Sequence, residues 1–117
     1  MTTMSDGGGS EPAVGTRTEM HVAVCRLTLH IYASQSLKDK RRVVQSVSEK
    51  IRQKFGTAVA EVDGLDAWQY AVLGIAAVSE DASKARDIVD RAIEYARGIA
   101  PEAEVASSGV DVFDYVD

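Results

Sequence analysis

The twelve residues HVAVCRLTLHIY, His21 to Tyr32, alternate from end to end. Ala23, Cys25, Leu27, Leu29 and Ile31 fall on one face. Val22, Val24, Arg26, Thr28, His30 and Tyr32 fall on the other. A period of two sends successive side chains to opposite sides of a strand. The stretch is therefore a strand with one dry face and one mixed face. It must sit in a sheet, and a second layer must cover its dry side.

The next segment supplies that layer. After "ASQ" the spacing becomes helical: Leu37, Val44, Val47, Ile51 and Phe55 form one stripe. Ser36 is placed to cap this helix, with Asp39 three residues on in the position that Glu takes in a capping box. Gly56 is the residue that ends it. "TAVAEVD" reads as a short strand, and Asp63-Gly64 as a turn. "AWQYAVLGIAAVS" is too apolar for a solvated helix and reads as a central strand from Ala67 to Val78. A second helix is expected from about Asp81 to Arg97, with Asp81 as its cap. Ala85, Ile88, Val89, Ala92 and Ala96 form its buried stripe, and Gly98 and Pro101 end it. "EVASSGVDVFDYVD" is a last strand, interrupted or bulged near Gly109.

The order is β-α-β-β-α-β. It predicts an α+β, ferredoxin-like domain: a four-stranded antiparallel sheet with two helices on one face. The domain is expected over residues 20–117. Residues 1–19 hold Gly, Ser, Thr, Glu and Pro with almost no large apolar side chain, and are expected to be a disordered tail. The tail has no basic start with an apolar run, so it does not read as a secretory signal. No apolar run is long enough to span a membrane. The lone Cys25 leaves no internal disulfide. A cytoplasmic protein is expected.

Several pieces in order carry a family resemblance. They are "VAVCRLTLHI" on the first strand, "SLKDKRRVV" opening the first helix, "AEV" before the hairpin and "DAWQYAVLGIAAVS" after it. Together they resemble the YlxP-like family of small bacterial proteins, a domain of unknown function. The resemblance runs from about Met20 to Phe113. It implies a ferredoxin-like fold and a bacterial cytosolic protein. The family's genes tend to lie near those for translation initiation and ribosome maturation factors. It implies no established activity and no catalytic residues.

The chain carries net −5, yet the seven residues of "SLKDKRR" include four basic ones. From Leu37 to Phe55 there are seven basic and two acidic residues, so the rest of the chain sums to −10. Such segregation steers an anionic partner in one orientation. Cations near a helix N-terminus oppose the macrodipole by about 0.3–1 kcal/mol each. A phosphate bound there would reverse that sign. At about 100° per residue, Lys38, Arg41, Arg42 and Arg52 lie on one flank of the apolar stripe. Lys40, Lys50 and Lys54 lie on the other. The first flank, with three arginines, is the expected RNA- or phosphate-binding surface. The alternative is an ordinary solvated helix face.

The uncovered sheet face is the second candidate. Arg26 and His30 lie there, and if Leu73 and Ile75 face the helices, Trp68 and Tyr70 join them. RNA-recognition sheets stack bases on aromatics in this place, but the alternating Phe/Tyr signature of that module is absent. Val22, Val24, Val72 and Val78 make the face apolar enough to dock a protein or a second copy.

No catalytic site, metal site or small-molecule cofactor is expected. Cys25 and His30 have opposite parity, and His21 with Cys25 lacks a third ligand. "YASQSLKDK" has no glycine to cradle phosphate as acylphosphatases of this fold do. Glu61, Asp63 and Asp66 read as a solvated turn. The leading expectation is a non-enzymatic accessory factor that binds RNA or a ribosomal subunit in translation or ribosome maturation. The alternative is a protein–protein interaction module that dimerises or docks through its open sheet.

Overall fold

The computed structural model describes residues 19–116. The tail expected over residues 1–19 lies outside them, except for Glu19, which already pairs in the first strand. The elements are β1 (Glu19–His30), α1 (Leu37–Phe55), β2 (Ala58–Asp63), β3 (Tyr70–Ser79), α2 (Ala82–Ile99), β4 (Glu104–Ser107) and β5 (Asp111–Val116).

β1 is central. It pairs antiparallel with β3, from His21 opposite Ser79 to His30 opposite Tyr70. Its other edge takes β4 and then β5, both antiparallel. β2 pairs with the outer edge of β3. The order β2-β3-β1-β4/β5 is the ferredoxin-like arrangement. The expected fourth strand is divided in two, which makes five. Val24 and Leu27 are three residues apart, while their partners Asp111 and Ser107 are four apart. The extra residue is a bulge. Gly109 turns there at φ 90°, in the left-handed region open to glycine.

Parity decides the core. Ala23, Leu27 and Leu29 of β1, with Leu73 and Ile75 of β3, pack in one buried cluster with Val44, Val47 and Ile51 of α1 and Val89 and Ile93 of α2. Both helices thus cover the same sheet face. The Ser36 hydroxyl caps α1 by accepting from the Asp39 amide at 3.0 Å, and the Asp39 carboxylate accepts from the Gln35 amide at 3.2 Å. Gly56 ends α1 at φ 66°. The Asp81 carboxylate caps α2 by accepting from the Ser83 and Lys84 amides. α2 runs through Gly98 and stops after Ile99. The stop comes from Pro101, which forces Ala100 out of the helical region, to φ −118° and ψ 70°.

His21 fastens β5 to β1. The pair lies opposite in register, and the His21 Nδ1 stands 2.6 Å from Asp114 Oδ1. The Asp114 carboxylate raises the His21 pKa above its ordinary value, with Glu19 adding to the effect against the opposing pull of burial. A raised folded-state pKa contributes stability that is complete below the unfolded value and is lost as pH rises through the folded value. An NMR titration of the His21 ring should therefore give a midpoint above the ordinary 6.5. Asp114→Asn should lower it. A midpoint that Asp114→Asn leaves unmoved contradicts the assignment.

Candidate functional site

The basic residues of α1 separate into distinct roles. Lys38, Arg41 and Arg42 are exposed in its first two turns. Arg42 reaches Asp39 only at 3.9 Å, beyond hydrogen-bond length. Lys38 and Arg41 form no ion pair among the described residues. Arg52 departs from this group. Its Nη2 donates to the Val59 carbonyl at 2.7 Å and ties the helix to β2. It also stands about 15 Å along the axis from Arg42 at about 1.5 Å per residue. Lys54 sits over the Tyr95 ring at 5.2 Å from the centroid. Lys38, Arg41 and Arg42 therefore stand together as exposed cations at the start of α1, with Lys50 exposed two turns further along.

Lys40 is not part of an exposed flank. Its side chain is 0% exposed. Its Nζ donates to Glu61 Oε2 at 2.8 Å, to the Gly64 carbonyl at 2.8 Å and to the Leu65 carbonyl at 3.1 Å. Three acceptors use all three donors of the ammonium. A charge tolerates burial only when it is paired and hydrogen-bonded in this way. The signal is in the spacing: Lys40 lies three residues after Leu37 and four before Val44, inside the apolar stripe. Glu61 shares strand parity with the buried Val59, so it faces the helix layer where Lys40 lies.

The helix N-terminus itself is occupied. The Asp39 carboxylate lies in the first turn and already takes the Gln35 amide. An anion on the helix axis would meet that carboxylate. The exposed Lys38, Arg41 and Arg42 side chains lie outside that capped turn end.

The open sheet face has two halves. At the end where β1 finishes, the rings of His30 and Tyr32 stack at 5.8 Å and 13°, and Tyr70 tilts against His30 at 6.3 Å. Tyr32 lies just past β1 in the loop to α1 and is widely exposed. Its hydroxyl donates to Glu104 Oε1 at 3.3 Å, and the Glu104 charge raises its pKa. Trp68 is not on the sheet. β3 begins at Tyr70, and Trp68 stands in the connection before it, 55% exposed. Just before the strand, Gln69 bonds to the neighbouring loop. Its Nε2 donates to the Tyr32 and Ser34 carbonyls, and its own carbonyl accepts from the Ile31 amide. No sequence pattern marks Gln69 for this role. Arg26 lies midway along the face, exposed, with no ion pair among the described residues. Toward the start of β1 the face is apolar, with Met20, Val78, Phe113 and Tyr115 exposed.

Cys25 is buried on the helix side, where burial raises its thiol pKa. A thiolate is disfavoured there, so this cysteine is a poor nucleophile. No group of three or more potential metal ligands occurs among the described residues. No helix among them is long and apolar enough to cross a membrane.

The model of the protein family of unknown function DUF503 matches residues 22–109. The chain belongs to this family. The DUF503 match runs from β1 to the bulge before β5, so it includes α1 with its exposed cations and its buried lysine. The chain is also similar to "Uncharacterized protein YlxP" of Bacillus subtilis (strain 168): 32% identical over 65 residues, covering 56% of this chain and 71% of the relative. This agrees with the YlxP-like resemblance carried by the four pieces in order. Among solved structures, the de novo designed protein Foldit4 covers 80% of this chain and 96% of its own, at 15% identity and a TM-score of 0.45. The de novo designed ferredoxin-fold protein LFR1 1 covers 74% of this chain and 82% of its own, at 14% identity and a TM-score of 0.46.

Proposed function

We propose that this DUF503 protein is a non-enzymatic RNA-binding accessory factor. The expected partner is a ribosomal subunit, a choice guided by the translation-factor genes near which genes of the resembling family tend to lie. The observation that carries the reading is that the short loop between β1 and α1 joins two exposed groups, the stacked rings where β1 ends and the cations where α1 begins. Lys38 and Arg41 are exposed with no ion pair among the described residues, and Arg42 is exposed with only a 3.9 Å contact to Asp39. Six residues before Lys38 in the chain, Tyr32 lies stacked on His30. Arginine forks suit phosphate oxygens. An exposed ring offers a face to an unstacked base, worth about 1–3 kcal/mol per base. The net charge of −5 makes such binding oriented and modest in strength.

Three phosphate contacts on a single strand give a slope of roughly −2 in log affinity against log salt. The protein is therefore expected to travel with a ribosomal subunit in a sucrose gradient at low salt and to leave it at moderate salt. A Lys38→Glu, Arg41→Glu, Arg42→Glu variant should remain at the top at both. Tyr32→Ala should weaken binding while leaving the salt slope unchanged. Wild-type protein that stays at the top at every salt would sink the reading.

A further inference from the structure

We infer that the apolar half of the open sheet face binds a second copy of this chain. The half lies at the far end of β1 from His30 and Tyr32. Met20, Val78, Phe113 and Tyr115 are exposed on it, with Phe113 and Tyr115 each at 60%. Register puts them on one side: Phe113 is opposite Val22, Tyr115 opposite Met20, and Val78 also opposite Val22. Contiguous apolar surface of this kind marks an interaction site.

Shape selects a copy of the same chain. Beside the Phe113–Tyr115 ridge, a trough of about 450 Å³ crosses the sheet. Ala58, Ala60, Gly74 and Ala76 are its small residues, and Val24 and Val62 also line it. Gly74 keeps the trough low: a Cβ there would meet Val62 Cγ1 at 3.1 Å. One face thus carries both a ridge of large side chains and a trough of small ones. A two-fold axis sets the ridge of each copy toward the trough of the other, because in an isologous contact residue i meets j and j meets i.

Charge selects the same partner. Among the described residues, Arg26 and Asp111 are the only charged ones lining the trough. Neither has an ion pair among the described residues. A basic partner would leave Arg26 opposed, and an acidic one would leave Asp111 opposed. A second copy under a two-fold axis offers Asp111 to Arg26 and Arg26 to Asp111. The size is near what a dimer needs: β2 and β5 with six residues each, and about eight each from β1 and β3, at about 3.4 Å by about 4.8 Å per residue, span roughly 450 Å² per copy. Two copies hide roughly 900 Å², the lower end of the scale for a specific, reversible interface.

The full chain should therefore show twice its monomer mass in sedimentation equilibrium over a concentration series, independent of RNA. Phe113→Glu should give a monomer with an unchanged circular dichroism spectrum. Arg26→Asp alone should weaken self-association at least about tenfold by setting like charges together. Arg26→Asp combined with Asp111→Arg should restore it. Phe113→Glu should still bind RNA, since its surface lies apart from Lys38, Arg41 and Arg42. A wild-type chain that is monomeric at every concentration overturns the inference. So does a dimer that tolerates both Phe113→Glu and Arg26→Asp.

Discussion

Lys40→Ala should lower the stability of the folded chain by about 3–5 kcal/mol, the cost of removing one partner from a buried ion pair. Three groups lose their donor at once: the Glu61 carboxylate and the Gly64 and Leu65 carbonyls. Glu61 keeps some access to water, at 19% exposure, so part of its charge can be resolvated. The methylene stem is lost from the core side of α1 as well. Lys40→Met separates the two effects, because it keeps the volume and removes only the bonds. Adding Glu61→Leu to Lys40→Met should recover most of the loss, since an apolar pair of similar size often replaces a buried ion pair without penalty. Lys38→Ala, on the exposed face two residues away, should stay within about 0.5 kcal/mol. Urea denaturation of the four variants makes the comparison. Equal effects at positions 38 and 40 would show that Lys40 is solvated and that the clamp does not exist.

The second large effect is expected at Leu73→Ala, at about 2–5 kcal/mol. Leu73 is fully buried between the sheet and the helices, in the cluster with Leu27 and Ile51. Removing its branched end takes away the transfer free energy and leaves a cavity that two packed helices close only partly. Val78, on the same strand but of opposite parity, is 60% exposed. Val78→Ala should therefore cost no more than about 0.5 kcal/mol in dilute protein. The contrast checks which face of β3 the helices cover. Similar losses at both positions would mean that the open face is packed against something within the same chain.

Most of the fold is local in origin, and that part is legible in the sequence. Alternation from His21 to Ile31 needs no partner to declare a strand. Ser36, Gly56 and Asp81 act within their own turns, so the residues beside them reveal their capping roles. The bulge near Gly109 is visible as the Ser-Ser-Gly break between Val105-Ala106 and the Val/Asp alternation that starts at Val110. The two helical stripes assign the helices to one layer, and four short segments in order point to the family.

The candidate surfaces are legible only as lists of residues. Four basic residues group on one flank of α1, but Arg52 is used by the Val59 carbonyl of a strand that the helix meets only in the folded chain. Lys40 falls among solvated lysines when charge is weighed above spacing. Its partners lie 21 to 25 residues away, and only the hairpin brings them to it. Trp68 reads as part of β3 because an apolar run carries no mark of where pairing begins. Beside that start, Gln69 bonds to a loop 35 and 37 residues earlier. Phe113 and Tyr115 read as strand residues without a face, since the bulge shifts the register by one residue and only pairing with β1 reveals the side.

By itself the sequence determined the elements, their caps, the buried sides of β1 and β3 and the family, because periodicity and capping act over a few residues. The tertiary structure alone decided which cations are buried or held and which are exposed, where the aromatic rings gather and how ridge and trough share one face. Those outcomes depend on where distant backbone carbonyls and carboxylates come to rest, and no local pattern encodes that.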